Sequence, residues 1–152
     1  MSTPVRPLAL DTVLDVVNGW GSSPRRAAGR SDDPFPSRPP QISKRVSSAE
    51  LVRAADELFP VFAAAPDSAD IARLLNDLVR TARVSPVLVA RDNRVVTGWQ
   101  TDEPKDGLLA PAVVALREYL SVHPVDRLGI CADNGCADVY IDASPGGHRP
   151  CR

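Results

Sequence analysis

No run of apolar residues in this 152-residue chain approaches the length of a membrane-spanning helix. Its opening, MSTPVRPLAL, lacks the charged-then-apolar layout of a secretion signal, so a cytoplasmic protein with no membrane partner is expected. An excess of positive charge is lacking as well. The net charge is −1 and the isoelectric point about 6.1, far below the values of a surface built to neutralise phosphates. There is no glycine-rich phosphate loop, no Gly-x-Ser-x-Gly turn and no metalloprotease histidine pair. The nearest Asp, Ser and His, which are Asp142, Ser144 and His148, share one short loop, whereas a catalytic triad converges from separately fixed elements. A non-enzyme is expected. Cysteine occurs three times, and in a reducing compartment free or metal-bound thiols are expected over disulfides.

What is present supports one ordinary core with a small appended module, since 43% of the residues are hydrophobic. Leu10, Val13, Leu14 and Val17 fall at helical spacing, with Gly19 as the stop. Residues 21–46 carry Pro24, Pro34, Pro36, Pro39 and Pro40 with little to bury, and read as a long surface loop. That loop is locally positive, through Arg25, Arg26, Arg30, Arg38, Lys44 and Arg45. A solvated loop is favoured over a phosphate-contacting arm, because Phe35 is its single aromatic.

Ser47 and Glu50 have capping-box spacing ahead of the stripe Leu51, Val52, Ala55, Leu58, Phe59 and Phe62, and Pro60 is expected to kink or end that helix. A second helix is expected to start at Asp67 and to bury Ile71, Leu74, Leu75, Leu78 and Val79. The Val- and Thr-rich runs 86–90 and 94–100 flank Asp92-Asn93 and predict a hairpin, with Trp99 half-buried. A helix over about 107–122 follows, capped by Asp106, with Pro111 in its first turn and Leu109, Val113, Leu116 and Leu120 inward. His123 falls at its end. The fold class is α+β: a mostly helical domain with a small antiparallel sheet, followed by a partial zinc knuckle.

The most specific chemistry lies at the end, RLGICADNGCADVYIDASPGGHRPCR. Cys131 and Cys136 are separated by four residues that include Asp133, Asn134 and Gly135, a turn able to bring two thiolates to one metal. A strand follows over 137–142. The turn Ser144-Pro145-Gly146-Gly147 then returns the chain toward His148 and Cys151, so the candidate zinc ligands are Cys131, Cys136, Cys151 and His148. The alternatives are small buried hydrophobes or an incidental disulfide, with His148 an exposed loop residue.

Arg127-Leu128, the Cys-x4-Cys pair, Tyr140, Asp142, Ser144, Arg149 and Cys151 resemble the start of the CGNR-type zinc finger of bacterial transcription regulators. In that family the finger follows an α+β domain called ABATE. Leu8-Ala9-Leu10-Asp11 and Asn18, or more closely Asp15-Val16-Val17-Asn18, resemble the opening of that domain. The resemblance implies an ABATE-like domain over 1–125 and a partial CGNR finger over 126–152. Family members continue to a fourth cysteine in Cys-Gly-Asn-Arg and a basic DNA-contacting tail, neither of which this sequence carries. Pro150 stands where the family has an aromatic.

Two functions are therefore expected. One is a zinc-finger transcription regulator with an incomplete DNA-binding module. The other is a stand-alone ligand-binding or protein-interaction module with a vestigial finger. Residues 101–152 hold five Lys/Arg against eight Asp/Glu, so DNA binding by this chain is expected to be weak or absent, whatever its longer relatives do. A small-molecule ligand remains open for the α+β domain. Asp15 and Asn18 either line its pocket or bond locally at the helix end.

Overall fold

The computed structural model describes residues 2–104 and 107–142. Five helices and a small antiparallel sheet make an α+β fold, 45% helix against 17% strand. Helix α1 (Leu10–Trp20) and helix α3 (Ser48–Ala63) pack together, α4 (Ser68–Thr81) lies against α3, and α5 (Leu109–Leu120) runs through the middle. Burial explains the central place of α5. Leu109, Ala110, Ala112, Val113, Val114, Ala115 and Leu116 are all buried, and the small Ala residues let its neighbours approach closely.

The capping box forms as its spacing predicts, with Ser47 Oγ accepting from the Glu50 amide and the Glu50 carboxylate accepting from the Ser47 amide. Helix α4 begins on Asp67, whose carboxylate accepts from the Asp70 amide. Pro60 neither ends nor breaks α3, which continues to Ala63. Proline there removes one bond, to the Asp56 carbonyl, in the last turn alone. Burial of the flanking Val61 and Phe62, 0% and 1% exposed, outweighs that loss. Helix α5 starts two residues later than expected. Asp106 lies outside the described residues, and the first turn is instead served by Glu103, whose carboxylate accepts from the Ala110 amide.

Strands β2 (Val84–Arg91) and β3 (Arg94–Thr101) form the expected hairpin on a two-residue turn, with positive φ at Asp92 and Asn93. Strand β1 (Thr3–Pro4) adds to β3 at the far end, giving the order β1-β3-β2. Trp99 is half-buried beneath the Arg117 guanidinium, 4.5 Å from its ring centre.

The stretch 21–46 departs from a bare loop. Helix α2 (Ser22–Ala27) lies inside it, and Pro24, Arg25, Pro39, Ile42 and Val46 are buried. Ile42 and Val46 join Val16, Trp20, Leu51, Ala54, Ala55 and Leu108 in a second apolar cluster. Two apolar residues suffice because the segment wraps over helices whose own faces supply the rest.

A 3-10 turn (Val125–Arg127) leads into β4 (Leu128–Ile130), which pairs antiparallel with β5 (Val139–Ile141). This small sheet lies against α1 and α3, and Leu128 and Val139 belong to the main core. The residues from 126 to 142 thus share the apolar interior of the preceding domain.

Candidate functional site: a cysteine knuckle docked on a polar cavity

Cys131 and Cys136 stand at the open end of the β4–β5 pair. The Cys131 amide donates to the Asp138 carbonyl, and the Cys136 amide donates to the Asp133 carbonyl, closing the turn through Gly135 at φ +72°. Tyr140 lies across Gly129 so closely that a Cβ there would sit 2.5 Å from the phenolic oxygen, which makes glycine the residue that fits. The Asp142 amide closes the base by donating to the Arg127 carbonyl. Cys131 and Cys136 thus stand at the two ends of one short turn.

Among the described residues, no three of His, Cys, Asp and Glu gather closely enough to hold a metal ion. His148 and Cys151 lie outside the described residues, as do Ser144, Arg149 and Pro150. Two sulfurs fill half of a tetrahedral shell, and each ligates as the thiolate. The described residues therefore do not by themselves fit a zinc ion. His123 sits at the end of α5, as its position suggested, with Nδ1 3.0 Å from the Tyr119 carbonyl and its ring stacked on Tyr119.

The knuckle is held from outside by Asn18. Its side-chain nitrogen donates to the Val139 carbonyl at 3.1 Å, and its side-chain oxygen accepts from the Val139 amide at 2.7 Å. The amide thus occupies the place of a neighbouring strand and satisfies the outer edge of β5. Local bonding at the helix end was one of two expected roles for Asn18. Its actual partner is 121 positions away in sequence.

Asn18 also lines a cavity of about 580 Å³ between α1 and the returning proline-rich segment, together with Asp15, Trp20, Arg30, Arg38 and Pro36. Thr12 ties that segment down by donating to Gln41, and Pro36 packs on the α1 backbone at Gly19. Arg38 donates to the Ser43 and Val46 carbonyls. Arg25, 5% exposed, donates to the Gly19 and Asp33 carbonyls and lies 4.7 Å over Phe35, which stacks on Trp20. These two arginines serve the fold. The sequence signal was Phe35, a lone aromatic that has to rest on something.

A second, smaller cavity of about 340 Å³ lies by α5, lined by Glu50, Arg53, Glu57 and Glu103 among others. Burial pushes the Glu103 carboxyl above its ordinary value, the Ala110 amide and the Arg53 charge pull it back, and the Glu57 and Glu50 charges raise it further. Its carboxylate is already engaged on the first turn of α5, so its described role is helix capping.

Comparison with protein-family models found none that matches this chain, and comparison with curated proteins found no match either.

Proposed function

We propose that the chain is a non-catalytic binding module in which the α+β domain takes a small molecule and the cysteine knuckle is the output end. One residue supports this reading. Asn18 lines the larger cavity and also makes the two hydrogen bonds that tie Val139 of β5 to α1. A ligand that shifts the last turns of α1 acts on β5 through those bonds, which is a physical route for coupling two sites. A nitrogen-15 NMR screen with small polar fragments tests it. Fragments that move the Trp20 indole or the Asn18 side chain are expected to move the Val139 amide as well, and Asn18→Ala is expected to uncouple the two responses. A library that leaves the cavity residues unmoved would remove the reading.

The transcription-regulator reading rests on the resemblance to the CGNR finger. Electrostatics favours the binding module for this chain, because Asp126, Asp133, Asp138 and Asp142 face a single Arg127 between residues 126 and 142. Zinc, if taken up, would be held by reduced Cys131 and Cys136 with Cys151 and His148, and would supply a cross-link that fixes the knuckle. Competition with a chromophoric chelator on the reduced chain is expected to show weak uptake at most, lost in Cys131→Ser. Tight stoichiometric uptake that persists in His148→Ala would contradict this ligand set.

A further inference from the structure

We infer that the outer edge of β2 is a docking site for an extended peptide with an apolar centre and acidic flanks, taken up as a further strand of the sheet. The inference is independent of the cavity. Strand β2 is the outer member of the order β1-β3-β2, and among the described residues no strand pairs with its far side. Its register with β3 runs unbroken from Val84–Thr101 to Arg91–Arg94, with no bulge to turn the edge away. The direction of each backbone group follows from that register. Asp92 and Asn93 are the centre of a two-residue turn, so Arg91 and Arg94 form the hydrogen-bonded closing pair, and bonded and non-bonded pairs alternate from there. The backbone polar groups of Ala90, Leu88, Pro86 and Val84 then point away from β3. The Val5 amide fixes the same phase, because it donates to the Trp99 carbonyl from the β1 side and so places Trp99–Pro86 among the non-bonded pairs. Proline falls where its missing N–H faces outward, as an edge strand allows. Leu88 and Ala90 each offer an amide and a carbonyl to an incoming strand.

The side chains decide the chemistry of that strand. Leu88 is 72% and Val95 69% exposed, diagonal neighbours on one face of the hairpin, and Val89 is 38% exposed on the other, so apolar surface flanks the edge on both sides. Arg83 stands at the base of the hairpin and Arg91 and Arg94 at its tip. None of these three side chains has an ion-pair or hydrogen-bond partner among the described residues, and Asp92 is the one acid between residues 83 and 100. Carboxylates at either end of an incoming strand meet those guanidinium groups, while its central residues lie beside Leu88 and Val89. A second copy of β2 would instead bring its own arginines to the same edge. Residues 143–152, with Arg149 and Arg152 and no acidic side chain, repeat that mismatch. An anionic lipid surface matches the charge but does not pair with the Leu88 and Ala90 backbone as a strand does.

The test titrates the full chain into three labelled peptides, read by fluorescence anisotropy: Asp-Asp-Val-Thr-Val-Thr-Val-Asp-Asp, the same peptide with lysine for every aspartate, and the same peptide with proline for its central valine. The acidic peptide is expected to bind saturably, and each of the other two at least tenfold more weakly. The Leu88 and Ala90 amides are expected to gain protection from hydrogen exchange in the complex. Ala90→Pro removes an outward amide without touching the β2–β3 ladder, and Arg91→Glu reverses one charge; each is expected to weaken the acidic peptide at least tenfold with a melting temperature close to the parent's. No saturable binding, equal affinity for the three peptides, or full affinity in Arg91→Glu would overturn the inference. So would an inert peptide together with self-association in sedimentation, which would give the edge to a second copy, or with binding to phosphatidylserine vesicles, which would give it to a membrane surface.

Discussion

Asn18→Ala is expected to destabilise the protein by roughly 2–3 kcal/mol, because it strands both backbone polar groups of Val139 on the outer edge of β5. In the native chain the Asn18 amide accepts from the Val139 N–H and donates to its carbonyl. Alanine supplies neither partner. Each orphaned group costs on the order of 1–3 kcal/mol when buried, and the half-buried position of Asn18 lets water recover part of it. For a chain of this length the loss corresponds to a melting temperature lowered by roughly 5–10 °C. Asn18→Asp should fall between, since its carboxylate still accepts from the Val139 amide but is repelled by the carbonyl. Urea denaturation of the three proteins checks the order, and an Asn18→Ala protein within about 0.5 kcal/mol of the parent would show that the edge needs no support.

Arg25→Ala is expected to cost roughly 2–4 kcal/mol and to loosen the segment that folds over α1. The guanidinium answers the Gly19 carbonyl, one of the last in α1, and the Asp33 carbonyl across the loop, while its flat face covers Phe35. Truncation leaves two acceptors unmet and a gap beneath Phe35, whose stacking on Trp20 then has no backing. Arg25→Lys is expected to recover little, because an ammonium cannot fork to two carbonyls and lie over a ring at once. Denaturation together with the emission of Trp20 reads both effects. Unchanged stability and an unshifted emission in Arg25→Ala would mean that the segment is held by its prolines and by Ile42 and Val46 alone.

Elements whose causes are local were legible in the sequence. Ser47 and Glu50 are three residues apart, Asp67 directly precedes its helix, and Asp92-Asn93 adopts the left-handed conformations a two-residue hairpin turn needs. Features whose partners are backbone groups were not legible. Arg25 counts as surface charge in any compositional reading, because the carbonyls of Gly19 and Asp33 that take it inside are common to every residue. Asn18 was legible as a candidate pocket residue, but its pairing with Val139 depends on a register that only the folded β4–β5 pair sets. Pro60 was read from its own stereochemistry, whereas the helix there is decided by Val61 and Phe62. The Cys131–Cys136 turn was readable from Gly135 and its neighbours, while His148 and Cys151 belong to the ten residues beyond the described part of the chain.

The docking of the knuckle by the fold itself is tested most directly by native-state hydrogen exchange on the reduced, chelator-treated chain. With its thiols reduced and free of metal, the amides of Val139 and Asp142, which donate to the Asn18 side chain and the Arg127 carbonyl, are expected to stay protected alongside the core amides of α3 and α5. Exchange of Val139 and Asp142 at open-chain rates, while α3 and α5 remain protected, would contradict it and make the knuckle dependent on its sulfur chemistry.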